Sequence, residues 1–95
     1  MRLTKKELPG KRLLVTAIDA ALAGRSFEED DKVLDFSAGF FAGADATPDE
    51  IIAAVKLAHH AIVAGEKTIA LVEEKIGLSS VKKIDGIPYA ILVEA

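Results

Sequence analysis

The sequence predicts an α+β domain: three helices, one of them long (about 48–75), followed by a C-terminal β-hairpin. Three observations carry that expectation. Ile51, Val55, Ala58, Ile62, Gly65, Ile69, Val72 and Ile76 recur in unbroken alternating steps of four and three, the spacing of one helical face. Thr47-Pro48-Asp49-Glu50 is a helix start, with Thr as the N-cap, Pro at the first helical position and Glu closing a capping box. Asp85-Gly86 stands between two apolar runs and supplies the positive-φ pair of a type I′ turn.

From the N-terminus, residues 1–8 read as an arm with at most one helical turn. Thr4-Lys5-Lys6-Glu7 resembles a capping box, but Pro9-Gly10 comes too soon for that helix to continue unkinked. Leu13, Leu14, Ala17, Ile18, Ala21 and Leu22 then repeat at helical spacing, predicting a first helix over about 10–23 that stops at Gly24. Ser26-Phe27-Glu28-Glu29 is a second capping box, and Val33, Leu34, Ser37, Phe40 and Phe41 carry an apolar face onward. A strand over 32–36 is the alternative there, and Gly39 and Gly43 weaken the helix end. In the long helix Gly65 is the weak point. A helix ending there, with Thr68–Glu73 as a strand, is the competing reading, and the in-phase stripe favours one helix. In the hairpin, Ile87, Tyr89, Ile91 and Val93 share a face, and Pro88 marks its strand as an edge.

Ninety-five residues make a single domain, with 1–8 as its arm. A chain this short buries only about 60–70% of the surface its unfolded form exposes. With no Cys, neither a disulfide nor a thiolate metal site supplements the core. Yet 51% of the residues are hydrophobic, and the mean hydropathy is +0.29. This apolar excess, together with an exposed hairpin edge, points to self-association. The net charge of −3 argues against non-specific nucleic-acid binding. The charge is nonetheless uneven. Arg2, Lys5, Lys6, Lys11 and Arg12 make a basic tip, and Glu28, Glu29, Asp30, Asp31 and Asp35 an acidic knot. Such groups pair within or between chains, or stand as solvated ends. No apolar run reaches the length of a membrane span. Asp19 breaks the apolar stretch after the basic start, which is not a secretory signal, so the expected compartment is the cytoplasm.

Chemistry is sparse. His59 and His60 are adjacent, so on a helix they would diverge, and neither has a His or carboxylate three or four residues away. Glu28, Glu29, Asp30 and Asp31 lack the alternation of a calcium loop. Gly39-Phe40-Phe41-Ala42-Gly43 lacks phosphate-loop spacing, and Ser79-Ser80 has no elbow or neighbouring base. Helices followed by a hairpin is the element order of a winged helix, but the candidate recognition helix opens with Asp49-Glu50, and only Lys82 and Lys83 sit on the wing. Gly43-Ala44-Asp45, Pro48-Asp49-Glu50 and His60-Ala61-Ile62 resemble a helix start in polynucleotide phosphorylases; the likeness covers a small part of the chain and carries no catalytic motif.

The sequence therefore implies no catalytic residue, no cofactor and no metal. It implies a small assembly or protein–protein interaction protein, an adaptor, inhibitor or accessory subunit, whose partner is itself or another protein rather than a membrane. The interface candidates are Ile51, Val55, Ala58, Ile62, Gly65, Ile69, Val72 and Ile76 on the long helix, and Ile87, Tyr89 and Ile91 on the hairpin. The competing function is a regulator with a small-molecule pocket under Phe40, Phe41 and Tyr89.

Overall fold

The computed structural model describes residues 1–37, 41 and 43–93. Strands dominate it. β1 (Arg2–Leu8), β2 (Arg12–Ile18), β5 (Ala44–Asp45), β6 (His60–Ala64), β7 (Lys82–Ile84) and β8 (Ile87–Val93) form one mixed sheet in the order β5-β1-β2-β6-β8-β7. β3 (Ser26–Glu29) and β4 (Lys32–Asp35) form a separate hairpin. The helices are α1 (Pro48–Leu57) and α2 (Glu66–Lys75), with a single 3₁₀ turn at Ala20–Leu22.

The expected architecture of three helices and a hairpin is thus corrected at each helix: at the second, a capping pattern at Ser26–Glu29 opens a largely exposed hairpin instead, and at the first and third the reason is shared. A strand buried on both faces reads as a near-continuous apolar run, which helical spacing also fits. In β2, Val15 and Ala17 face the helices while Ile18 faces the opposite core, and all three are fully buried. The expected helix over 10–23 is this strand and the 3₁₀ turn. The arm at 1–8 is β1, zipped antiparallel to β2 from Arg2↔Ile18 to Leu8↔Arg12. The second expected helix is the β3–β4 hairpin, closed by Asp30 at φ 56°, with Phe27 turned into the core. The strand alternative at 32–36 coincides closely with β4. Gly39 and Phe40 lie outside the described residues.

The long helix over 48–75 is three elements. α1 ends at Leu57, because Ala58 adopts an extended backbone. His60–Ala64 then runs parallel to β2, from Leu14↔His60 to Ile18↔Ala64. Gly65, at φ 99° and ψ 151°, turns the chain into α2 in a conformation essentially restricted to glycine. The apolar stripe stays in phase across this break, although its members serve different elements. Ile51, Val55 and Val72 pack from the two helices onto Val15, Ala17, Ala61, Val63 and Ala90 of the sheet.

Two local signals are realised in the structure. The Thr47 hydroxyl accepts from Glu50 N–H at 3.2 Å, and the Glu50 carboxylate accepts from Thr47 N–H at 2.9 Å. These bonds, the Thr47 backbone first, hold the Glu50 carboxyl below its ordinary pKa. Asp85 and Gly86 sit at φ 50° and 78°, and pair Ile84 with Ile87 and Lys82 with Tyr89. A Cβ at Gly86 meets nothing nearby, so Gly86→Val tests backbone strain alone. It should cost about 1–3 kcal/mol in thermal or urea unfolding. Unchanged stability would mean that the turn does not hold this conformation.

The two sheet faces are covered unequally. α1 and α2 pack on one face. The other is covered at one end by the β3–β4 hairpin and the 3₁₀ turn. There Ile18, Leu22, Phe27, Phe36, Phe41, Ala64, Ile84 and Tyr89 form a second core, with Phe36 and Phe41 edge to face at 6.0 Å.

Candidate functional site

Strand pairing puts residues from four segments of the chain into rows across the partly covered face. One row is Thr4, Thr16, Ile62 and Ile91; the next is Lys6, Leu14, His60 and Val93. Leu14, Thr16, His60 and Ile62 are half-buried, whereas Ile91 is 63% and Val93 61% exposed. Both exposed residues lie on β8, where β7 has already ended. Gly65 N–H donates to Pro88 C=O at 2.8 Å, so Pro88, Ala90 and Leu92 aim their backbone groups at β6. By alternation, Ile91 and Val93 aim theirs outward, and among the described residues no backbone group bonds to them there. Beside this free edge lie a cleft of about 210 Å³ bounded by Ser80, Lys82 and Tyr89–Ile91, and one of about 280 Å³ between Gly77–Ser80 and Ala90–Val93. Round the end of the strand, a third hollow of about 320 Å³ is lined by Val55, Ala58, Ile76, Leu92 and Val93 among others.

The polar groups converge elsewhere, at the carboxyl ends of the parallel strands β2 and β6. The Asp19 carboxylate accepts from Lys67 N–H at 3.1 Å, from Thr68 N–H at 2.8 Å and from the Thr68 hydroxyl at 2.7 Å. Asp19 N–H donates to Ala64 C=O, and Thr68 is fully buried. Carboxyl ends of parallel strands are where open α/β sheets take ligands. Here the position is filled by a side chain that caps α2, and its work is structural. His59 is likewise built into the framework: its Nδ1 accepts from Leu13 N–H at 3.0 Å, and its backbone N–H donates to Leu13 C=O at 2.9 Å. This pair prolongs the β2–β6 ladder by one step. Among the described residues, no group of three His, Asp or Glu residues converges as a metal site.

The interface candidates read from the sequence are dispersed. Ile51, Val55 and Val72 lie in the core, Gly65 is buried at the α2 cap, and Ala58 and Ile69 are partly buried against the same core. Ile62 lies on the partly covered face, and Ile76, 37% exposed, ends α2. Ile87 and Tyr89 pack with the second core, leaving Ile91 as the exposed member. Of the residues expected around a small-molecule pocket, Phe41 and Tyr89 pack in the second core, and Phe40 lies outside the described residues. Asp19, Leu14, Thr16, His60 and Val93 were not among the expected site residues. An aspartate closing an apolar run was the only advance sign of the first.

The architecture defines a small α+β domain: a mixed sheet with two helices on one face, a hairpin over part of the other, and an exposed apolar band beside a free strand edge. The chain belongs to a family described as a protein of unknown function (DUF424), whose model matches residues 7–94. It is similar in fold to a solved structure described as an uncharacterized conserved protein from Methanopyrus kandleri. That match has a TM-score of 0.72 at 18% identity, covering 97% of this chain and 90% of the other. Comparison with curated proteins gave no match. Among the described residues no helix is long and apolar enough to cross a membrane.

Proposed function

We propose that this protein is a small assembly module that associates with a second copy of itself through the free half of β8. The supporting observation is the coincidence, at Ile91 and Val93, of unpaired backbone groups with the largest exposed apolar side chains of the sheet. An edge strand is self-complementary: two copies related by a two-fold axis pair their β8 edges antiparallel, each satisfying the other's N–H and C=O groups. Ile91 and Val93 of both copies then share one continuous apolar band. The clefts beside Gly77–Lys82 leave room next to the edge.

Sedimentation velocity at tens of micromolar tests this reading. The wild-type chain should sediment as a dimer or larger. Ile91→Lys with Val93→Lys should weaken association at least about tenfold, equivalent to about 1.4 kcal/mol, while the circular dichroism spectrum stays unchanged. A wild-type monomer, or a double variant that associates as before, would refute the proposal.

A further inference from the structure

A net charge of −3 hides a segregation that the fold creates. In β1, alternation sends Lys6 and Leu8 to the partly covered face, and Arg12 joins them opposite Leu8. His60 stands two strands away in the row of Lys6 and Leu14. Lys11 flanks these groups in the turn of the same hairpin, and Lys6, Lys11 and Arg12 are all exposed; Lys5, opposite Val15, turns to the helix side. Among the described residues of β1, β2, β6 and β8, no carboxylate lies on this face. Glu7 points to the helix side, although it borders a hollow shared with Lys11, Arg12 and Leu13, and Asp45, at the far edge on β5, is paired with Arg2 at 3.1 Å. The acidic groups gather on α1, α2 and the β3–β4 hairpin. The last packs near β7, where Glu29 accepts from Asp85 N–H, and so lies at the opposite edge of the sheet.

We infer that the β1–β2 hairpin and the adjoining band of the sheet bind single-stranded nucleic acid through its phosphates. Two properties select this partner. The cations stand on successive rows of one face, about 7 Å apart along the strands, so they follow a line of charge rather than a single anion. Inward from that rim lie Leu14, Ile62 and the Thr16 hydroxyl, an apolar floor with one hydrogen-bonding group. Such a floor receives riboses and the faces of unstacked bases, which a duplex keeps inside. The rows contain no aromatic platform, so binding is led by the phosphates and indifferent to base sequence. The surface is centred on the edge opposite β8, so it does not depend on the proposed self-association.

Fluorescence anisotropy with a labelled single-stranded oligouridylate at low salt is the direct measurement. Binding should weaken with salt at a log–log slope of about −2, as roughly three phosphate contacts require. Lys6→Glu with Arg12→Glu should reduce affinity by about tenfold or more. Lys75→Glu, on α2, should change it little. No binding at low salt, or equal losses in the two variants, would overturn the inference. So would a different pattern: no oligonucleotide binding, with a sedimentation coefficient that falls on adding salt and on replacing Asp30 and Asp31 by Lys. That result would assign the basic hairpin to the acidic hairpin of a second copy.

Discussion

Asp19→Ala should lower the unfolding free energy by about 2–4 kcal/mol, since it removes an N-terminal cap and strands a buried hydroxyl. The carboxylate accepts three hydrogen bonds at the start of α2. Without it, the N–H groups of Lys67 and Thr68 lose their partner, and Thr68, fully buried, has no water to turn to. In a domain of this size each kcal/mol is worth about 4–8 °C in melting temperature, so the effect is readily measured. Asp19→Asn should recover part of the loss, because an amide oxygen still accepts. Thr68→Val removes the hydroxyl that Asp19→Ala would leave unsatisfied. The double variant should therefore be more stable than the two single losses summed. Strict additivity would show that the Thr68 hydroxyl does not depend on Asp19.

Gly65→Ala should be comparably damaging, about 2–4 kcal/mol, for two reasons that act together. The backbone at φ 99° and ψ 151° is in a region that residues with a Cβ adopt only under strain, at about 1–3 kcal/mol. The added methyl would also run into the Asp19 carboxylate and push it off the cap. Gly65→Leu should be at least as destabilising. An exposed glycine inside a helix would respond in the opposite way, gaining about 1 kcal/mol with Ala. Urea unfolding of the Ala variant alone therefore separates a strand-to-helix corner from a continuous helix. Because Gly65 and Asp19 act on one cap, combining Gly65→Ala with Asp19→Ala should cost less than the sum.

What could be read in advance was chemistry confined to a few neighbouring residues. Thr47 to Glu50 announced α1 at its first residue, and Asp85-Gly86 announced the turn and register of β7 and β8. Gly24 and Gly65 both punctuate the chain, each at positive φ. The identity of the elements between these marks was obscured by burial. Ala61 to Ala64 is apolar because helices cover one side of β6 and the second core touches its end, so the two-residue period of a half-exposed strand is absent. β1 hid for the opposite reason: Lys5, Lys6 and Glu7 are consecutive exposed residues without apolar alternation. Ile91 is legible as part of an alternating strand, but the edge expected at Pro88 is paired on both sides, with Lys83 of β7 and with Gly65, and the free edge is left to Ile91 and Val93, beyond β7. Leu14, Thr16, His60 and Ile62 become neighbours only when β2 and β6 align in parallel, a relation that local spacing does not encode. The Asp19 cap is likewise outside the reach of local spacing, since it joins residues 49 apart.

That parallel alignment also bears on how the molecule reaches its native state. The β1–β2, β3–β4 and β7–β8 pairs are hairpins of neighbouring segments, so each closes a short loop and can form early on microsecond timescales. The contact of Leu13 with His59, by contrast, closes a loop of 46 residues, and the entropy of that closure precedes any reward from packing. Joining β2 to β6 is therefore the slow event, with α1 docked in the same step as the crossover between them. Until it happens, β2 presents one bare edge, on the side away from β1, and apolar groups on both faces, so the nascent chain is most prone to aggregate before residue 64 has been made.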